Sequence, residues 1–276
     1  MPAKSPGASP APSEPHSPHH RTHILSLAGK PQATVALPLA FSQPVRRDLI
    51  RKAVDAAQSN RRQPYGTSPT AGNRHSVEWS GKGRGVARTP RLMDSMRGAQ
   101  APNTVGGRPA HPPRVERIWT KRINTKERRR AFASALAATR VLPLARARGH
   151  ELPEELHLPV IIEDPLETIQ STEAARELLE TLELWPDVER AQSKTHVRAG
   201  RGKRRGRMRR TPRSLLVVTS GPGKARGFRN LPGVDVVTAQ RLATEDLAPG
   251  GEPGRLTLFS RAAVESLRAR LGEEAV

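Results

Sequence analysis

The chain has 276 residues, enough for one sizeable domain or two small ones. Its 47 Lys and Arg against 26 Asp and Glu leave a net charge of +21 and a pI near 11.6, so its field draws phosphates rather than neutral metabolites. Aromatic residues are only 3 % of the chain, too few for a protein that holds nucleic acid mainly by stacking bases, and contacts to a polyanion backbone are favoured instead. The absence of cysteine excludes a disulfide framework, a thiolate metal site and a thiol nucleophile, and agrees with a reducing interior. No apolar run approaches the roughly 18 residues of a membrane span, and the first residues lack a signal-peptide apolar region. A soluble, intracellular protein is expected.

Residues 1–20 (MPAKSPGASPAPSEPHSPHH) are mostly Pro, Ser and Ala and are expected to be disordered. His16, His19, His20 and His23 have spacings at which imidazoles could converge on a transition metal. Such a tail supplies neither a scaffold nor partners to orient the imidazoles, so a flexible polar segment is the better reading and no metal or cofactor is expected.

From Thr22 onward the apolar runs 23–27 (HILSL) and 33–37 (ATVAL), split by Gly29-Lys30-Pro31, predict a pair of strands. Pro44 then precedes VRRDLIRKAVDAAQSN, where Val45, Leu49, Ile50, Ala53, Val54 and Ala57 recur at helical spacing. This helix delivers the chain to a long segment, 61–113, that holds eight Arg and one Lys against only Glu78 and Asp94. Gly and Pro run throughout it and neither the helical nor the strand period appears, so it cannot build a core of its own and is expected to lack secondary structure. A loop of that length is ordered by something outside the chain, and a polyanion is the natural partner. Two arms of about 25 residues, fully extended, have a reach with a ceiling near ~80 Å.

Beyond the loop, Asn124 or Thr125 is placed to cap a helix over TKERRRAFASALAATR. Arg128, Arg129 and Arg130 crowd its first turn and oppose the helix dipole at a few tenths of a kcal/mol each, a cost that a nearby phosphate removes. An ordinary solvated face is the alternative. Residues 151–190 invert the charge, with twelve acidic side chains against Arg176 and Arg190, and are expected to face away from the polyanion. Within them LPVIIEDP has the compact apolar pattern of a buried parallel strand, and Ser171 or Thr172 caps the amphipathic helix EAARELLETLEL. Glu163 and Asp164 are adjacent on a strand end and so point to opposite sides, which argues against an acid/base pair.

A second basic arm follows, HVRAGRGKRRGRMRRTPR, with nine cations and no acid between Arg198 and Arg213. Arg198, Arg201, Lys203, Arg204, Arg205, Arg207, Arg209 and Arg210 are its candidate phosphate contacts. The remainder alternates: strands in SLLVVTS, VDVVT and RLTLFS, a short helix in GKARGFRNL, a turn and short helix in RLATEDLAPGG, and a last helix, RAAVESLRARL, capped by Ser260. That alternation predicts an α/β fold: one Rossmann-like domain with a mainly parallel sheet, and the long extended basic loop inserted between two helices. GPGKAR at 221–226 lacks the spacing and the hydroxyl residue of a P-loop, and GKGRG at 81–85 is not GxGxxG after a strand, so no nucleotide site is expected.

FSQPVRRDLIRKAVDAAQSNRRQPYGT, WSGKGRGVARTPR, VGGRPAHPPRVE, KRINTKERRRAFASALAAT, LWPDVERAQ, RAGRGKRRGR, RNLPGVDVV and LAPGGEPGRLTLF, together covering about residues 24–272 in order, resemble the L-four family of large-subunit ribosomal proteins in its archaeal form. The resemblance implies a structural, non-enzymatic protein of the cytoplasmic large subunit: an α/β domain on the solvent side and a long loop threaded into large-subunit rRNA. The loop tip then helps line the exit tunnel, next to the nascent polypeptide, with other large-subunit proteins as neighbours and no membrane. On the matching positions Trp79, Lys82, Gly83 and Arg84 fall at or near the tip, while Arg61, Arg62, Tyr65, Arg88, Arg91, Arg108 and His111 fall along the arms, and Arg74 and Arg114 are further candidate rRNA contacts. The implied division is a tail (1–20), the α/β domain (21–60 and 114–276), the rRNA-binding loop (61–113) and a second basic loop (193–213).

The physical chemistry is consistent with this. Arg outnumbers Lys in both arms because a planar guanidinium binds phosphate in a fork and stacks on bases. Glycines at 81, 83, 85, 106 and 107 permit close approach and unusual backbone angles, and Trp79 has the shape to stack on a base or wedge against a sugar. Neutralising about eight phosphates gives a log–log salt slope of order −7 by the duplex rule. An RNA-modifying or nucleotide-using enzyme would need a cofactor loop or an acid/base set that these residues do not supply. A nonspecific nucleic-acid compactor is the alternative, and it predicts equal binding to duplex DNA.

Overall fold

A computed structural model describes residues 21–153 and 156–272, so the tail and its His16, His19 and His20 lie outside the described residues. The chain divides into two compact units: residues up to Ala57 together with those from Arg122 onward, and Gln58–Lys121.

In the first unit, β1 (Arg21–Leu25) and β2 (Pro31–Ala36) pair antiparallel, two residues earlier than the apolar runs suggest. The turn between them closes with Ser26 N donating to Lys30 O (2.8 Å), and Gly29 takes φ +75°. After a 3-10 turn, Leu39–Ser42, comes α1 (Arg47–Asn60). The strands β3 (Val77–Trp79) and β4 (Pro90–Leu92) belong to the other unit. The chain returns through α2 (Thr125–Ala138), whose cap is Asn124, its side chain accepting from Lys126 N at 3.1 Å. Then follow α3 (Leu142–Ala147), β5 (Val160–Ile162), α4 (Thr172–Thr181), α5 (Trp185–Ser193), β6 (His196–Val197), β7 (Arg209–Arg210), β8 (Leu216–Thr219), β9 (Asp235–Thr238), α6 (Thr244–Leu247), β10 (Thr257–Ser260) and α7 (Arg261–Leu271). Neither α3 nor α5 was expected, although a proline in the first turn, Pro143 and Pro186, suits the start of each.

The six-stranded sheet runs β2-β1-β5-β10-β8-β9, with every neighbouring pair parallel except β1 and β2. The fold is therefore mixed α/β with a mostly parallel sheet. Register aligns Ile24, Ile161, Phe259, Val218 and Val237 in one row across five strands, and all five join a core built with Ile50 and Val54 of α1, Phe132 and Leu136 of α2 and Leu267 of α7. The alternate row, Val160, Leu258, Val217 and Val236, packs with Leu178 and Leu179 of α4 and Val188 of α5. Alternate side chains thus leave to opposite faces and both faces are buried, which is why these strands are continuous apolar runs. Each fully buried large apolar side chain contributes about 1.5–3 kcal/mol.

Ser171 accepts from Glu173 N (3.2 Å) and Ser260 from Ala263 N (3.0 Å), capping α4 and α7 as the hydroxyls predict. The helix expected over GKARGFRNL is only a 3-10 turn, Arg226–Asn230. Its entry residue Ala225 sits at φ +49°, and a Cβ on Gly227 would stand 2.2 Å from Ser171 O, so the backbone is pressed against α4's cap and cannot wind into a full helix.

The acidic segment 151–190 does not simply face outward. Asp187 is wholly buried and accepts from His150 Nδ1 (3.0 Å), Glu151 N (3.2 Å), Arg190 Nε (2.9 Å) and Ser214 Oγ (2.6 Å). His150 Nε2 in turn accepts from Leu256 N (3.3 Å). One carboxylate therefore ties the segment after α3 to α5 and to the leading ends of β8 and β10.

Candidate nucleic-acid interface

The unit Gln58–Lys121 begins at a neck. Asn60 and Lys121 exchange hydrogen bonds, Lys121 N to Asn60 Oδ1 at 2.8 Å and Asn60 Nδ2 to Lys121 O at 3.3 Å, while Ser59 Oγ donates to Trp119 O at 2.6 Å. Above it the outgoing and returning arms touch. Thr67 N donates to Pro113 O (2.9 Å), and Gln100 Nε2 donates to Asn73 O (3.2 Å) and to His75 O. Two glycines permit close contact between the arms: a Cβ on Gly66 would stand 2.6 Å from Val115 N, and one on Gly72, at φ +80°, 2.5 Å from Arg108 Cα.

At the far end β3 and β4 pair antiparallel, Trp79 opposite Pro90 and Glu78 opposite Arg91. Secondary structure in this loop was not expected. It forms without a sizeable apolar core, Pro90 and Ala99 being its buried apolar side chains among the described residues. Local polar bonds order it instead: Ser80 Oγ to Ala87 O (3.1 Å), Leu92 N to Arg97 O (2.9 Å) and Ala99 N to Pro90 O (2.9 Å). Gly81, Gly83 and Gly85, between the two strands, have φ of +62°, +80° and +67° with open space where a Cβ would be, so they serve the turn rather than a contact within the chain.

Trp79, Lys82, Gly83 and Arg84 gather at this hairpin end, all exposed, Trp79 at 67 %. Arg61, Arg62, Tyr65, Arg74, Arg88, Arg108, His111 and Arg114 are exposed along the arms, Tyr65 at 73 %. Arg74 Nε donates to Thr70 Oγ1 (3.0 Å). Arg91 differs: it is half-buried, its Nη1 donates to Met96 O at 2.8 Å, and its buried Nε has no partner among the described residues. It supports the turn after β4 from inside the loop.

Gly72→Ala is expected to part the arms, because the atoms a methyl group would strike are backbone and the residue sits in the left-handed region, a local cost of order 1–3 kcal/mol. Trypsin should cut within 61–113 at least about five-fold faster in this variant, while the thermal midpoint of the α/β unit stays in place.

In the first unit, Arg128, Arg129 and Arg130 are exposed on the first turn of α2. The second arm is a hairpin. β6 and β7 pair antiparallel around a 3-10 turn, Gly200–Arg205, with Arg198 N donating to Met208 O (2.9 Å) and Arg198 Nε to Arg209 O (3.3 Å). Gly200 and Gly206, at φ +71° and +75°, flank the turn. Arg201, Lys203, Arg204, Arg205, Arg207, Arg209 and Arg210 are exposed and form no ion pair among the described residues. Among the described residues only Arg213, at its base, meets a carboxylate, that of Asp235.

The carboxyl ends of the parallel strands, where open α/β sheets bind ligands, carry a carboxylate of the chain itself. Glu167 accepts from Ser220 N and Oγ, Ser260 Oγ (2.7 Å) and Lys224 Nζ. Burial works against its charged form, but the bonds from Lys224, Ser220 and Ser260 win and hold its pKa below the ordinary value. Lys224 of GPGKAR is therefore committed to an internal carboxylate. Among the described residues no three potential metal ligands cluster, and no helix is long and apolar enough to cross a membrane.

Trp119, Arg117, Gly66, Gly72, Glu167 and Asp187 were not singled out from the sequence. Trp119, set in RIWTKR, was the one with a visible signal, a lone indole among cations.

These features define a class: an α/β protein whose sheet mouth is filled from within and which displays exposed cations on two hairpin loops. The chain belongs to the ribosomal protein L4/L1 family, whose model matches residues 35–270. It is 50 % identical over 256 residues to the large ribosomal subunit protein uL4 of Methanopyrus kandleri, covering 91 % of this chain and 98 % of that one. It is 44 % identical over 250 residues to uL4 of Haloquadratum walsbyi (90 % and 99 % covered) and 46 % identical over 258 residues to uL4 of Pyrobaculum aerophilum (92 % and 91 %).

Proposed function

We propose that this protein is a structural constituent of the large subunit of the cytoplasmic ribosome, binding large-subunit rRNA through the basic loop 61–113 and the second basic loop 193–213. The observation that carries the reading is the set of exposed guanidiniums on two hairpins ordered by their own glycines and hydrogen bonds. Such cations are costly to crowd together and are neutralised by a phosphate backbone. The hairpin end with Trp79, Lys82, Gly83 and Arg84 enters the rRNA and helps line the exit tunnel beside the nascent polypeptide. Other large-subunit proteins are its neighbours, and the α/β part, a Rossmann-like arrangement of helices on both faces of the parallel sheet, is the scaffold for subunit assembly and translation.

The test is sedimentation of cell extract after a high-salt wash, with limited trypsin digestion of the free protein and of the isolated subunit. The chain should remain with the large subunit at about one copy per particle, and cleavage within 61–113 should be fast in the free protein and blocked in the particle. Release at high salt, equal cleavage in both states, or spread over nucleic acid of every size would favour the compactor instead.

A further inference from the structure

The unit Gln58–Lys121 and the second basic loop hold well under half of the chain, yet ten of the twelve exposed large apolar side chains among the described residues lie on them. Single exposed apolar residues are ordinary on a protein surface. A concentration of them on the two segments that display cations is not such scatter. Besides Tyr65 and Trp79, Gln58–Lys121 exposes Val86, Met93, Met96, Val105, Val115 and Ile118. Ile118 is 85 %, Val105 82 % and Met93 71 % exposed, and none of the six belongs to either hydrophobic core. The half-buried Trp119 ring differs, because the guanidinium carbons of Arg62 and Arg117 lie over it, 4.2 and 4.4 Å from its centroid.

These side chains alternate with arginine along the chain. Val86 lies between Arg84 and Arg88, Met93 and Met96 between Arg91 and Arg97, Val105 before Arg108, and Val115 and Ile118 beside Arg114 and Arg117. A phosphate is charged and hydrated and gains nothing from an apolar neighbour. The apolar surfaces of RNA are its base faces. In a regular A-form helix these are stacked away and the major groove is too deep and narrow for side chains, so they are open only where bases are unpaired. A protein partner would call for an apolar patch free of cations. Alternation with arginine suits a nucleotide, which offers a phosphate and a base one sugar apart, and the flexible thioethers of Met93 and Met96 adapt to either face of a base.

We propose that Met93, Met96, Val105 and Ile118 pack against unpaired bases of the rRNA while neighbouring arginines hold its phosphates, so that this loop selects non-helical RNA over duplex. This rests on the rRNA-binding reading and names the kind of RNA that the loop takes. Val115 is set apart because its side chain lies against the other arm, a Cβ on Gly66 standing 2.9 Å from its Cγ2.

Full-length wild type and a variant carrying Met93→Gln, Met96→Gln, Val105→Thr and Ile118→Thr are titrated with deproteinised large-subunit rRNA, with a perfectly paired RNA duplex and with duplex DNA over a range of KCl. The four substitutions change no charge and alter exposed side chains, so the thermal midpoint should stay within about 2 °C. The log–log salt slope for rRNA should be unchanged, because the same phosphates are neutralised. Affinity for rRNA extrapolated to about 1 M KCl, where counterion release no longer contributes, should fall at least about 30-fold. Binding to the RNA duplex should be the same for both proteins.

A variant that binds rRNA like wild type would overturn the base contacts, and the rRNA reading would still stand if wild type prefers rRNA to both duplexes. An equal loss on the RNA duplex would overturn the selection of unpaired bases, and a shallower salt slope would mean that phosphate contacts had been lost instead. Met93→Gln and Ile118→Thr made singly, each expected to cost several-fold, decide the matter if the combined variant fails to fold. Wild type binding duplex DNA as tightly as rRNA would strike the rRNA reading itself.

Discussion

Asp187→Ala should destabilise the protein by about 3–5 kcal/mol, the largest single-residue loss expected here, because it leaves a buried ion-pair partner uncompensated. The carboxylate is wholly buried and satisfies His150, Arg190, Ser214 and the Glu151 amide at once. Removing it strands the nearly buried Arg190 charge and leaves the His150 and Ser214 donors without an acceptor. Urea denaturation of the two proteins at neutral pH measures the difference, and a loss under about 1 kcal/mol would refute the account.

The same site sets an acid limit. Burial pushes the Asp187 pKa up, but hydrogen bonds from His150, Arg190 and Ser214 outweigh it and bring the carboxyl from 3.8 down to about 2. A depressed carboxylate stabilises the fold above its unfolded pKa and loses that contribution as pH falls through its folded one. The window is thus pH 4 to 2, and the contribution is of order 2 kcal/mol. Wild type should lose stability steeply across that window, and Asp187→Ala should show a flatter profile.

These buried carboxylates also mark where sequence reasoning stopped. The strands β5, β8 and β10 were legible because both sheet faces are covered and their residues are apolar without interruption. The caps Ser171 and Ser260 were legible because a cap is a local bond. Asp187 and Glu167 looked like two more acids in an acidic stretch, since a carboxylate is solvated unless it is paired. Their partners, Ser214, Ser220, Lys224 and Ser260, lie 27 to 93 residues along the chain. The loop shows the reverse error. Its composition excludes a core, correctly, but glycines that let one arm lie on the other, Gly66 and Gly72, leave no trace without the partner strand in view.

Arginine content carries a similar ambiguity. Arg140, Arg148, Arg255 and Arg270 donate to backbone carbonyls inside the α/β unit, Arg255 to those of Ser214, Leu215 and Asp246. Burial pulls all four guanidinium pKa values down, that of Arg148 to about 10 with help from the charge of Arg255. These cations hold the scaffold, and part of the +21 charge is not available to a polyanion.

The displayed group gives the second large expectation. Replacing Arg201, Lys203, Arg204, Arg205, Arg207, Arg209 and Arg210 together by Gln should leave the fold intact, because all seven are exposed on β7 and the turn before it and form no ion pair among the described residues. Thermal midpoints should agree within about 2 °C or rise slightly as self-repulsion is relieved. If each cation meets one phosphate, the salt slope for deproteinised large-subunit rRNA should become shallower by about 5–6, and affinity near 0.1 M salt should fall by at least about 10³. Replacing the same six arginines by Lys keeps charge and slope but forfeits the planar fork, so affinity should drop several-fold at constant slope. A Gln variant with the wild-type slope would mean that this hairpin faces something other than RNA. A Lys variant indistinguishable from wild type would mean that charge alone, and not the guanidinium fork, is what the phosphates meet.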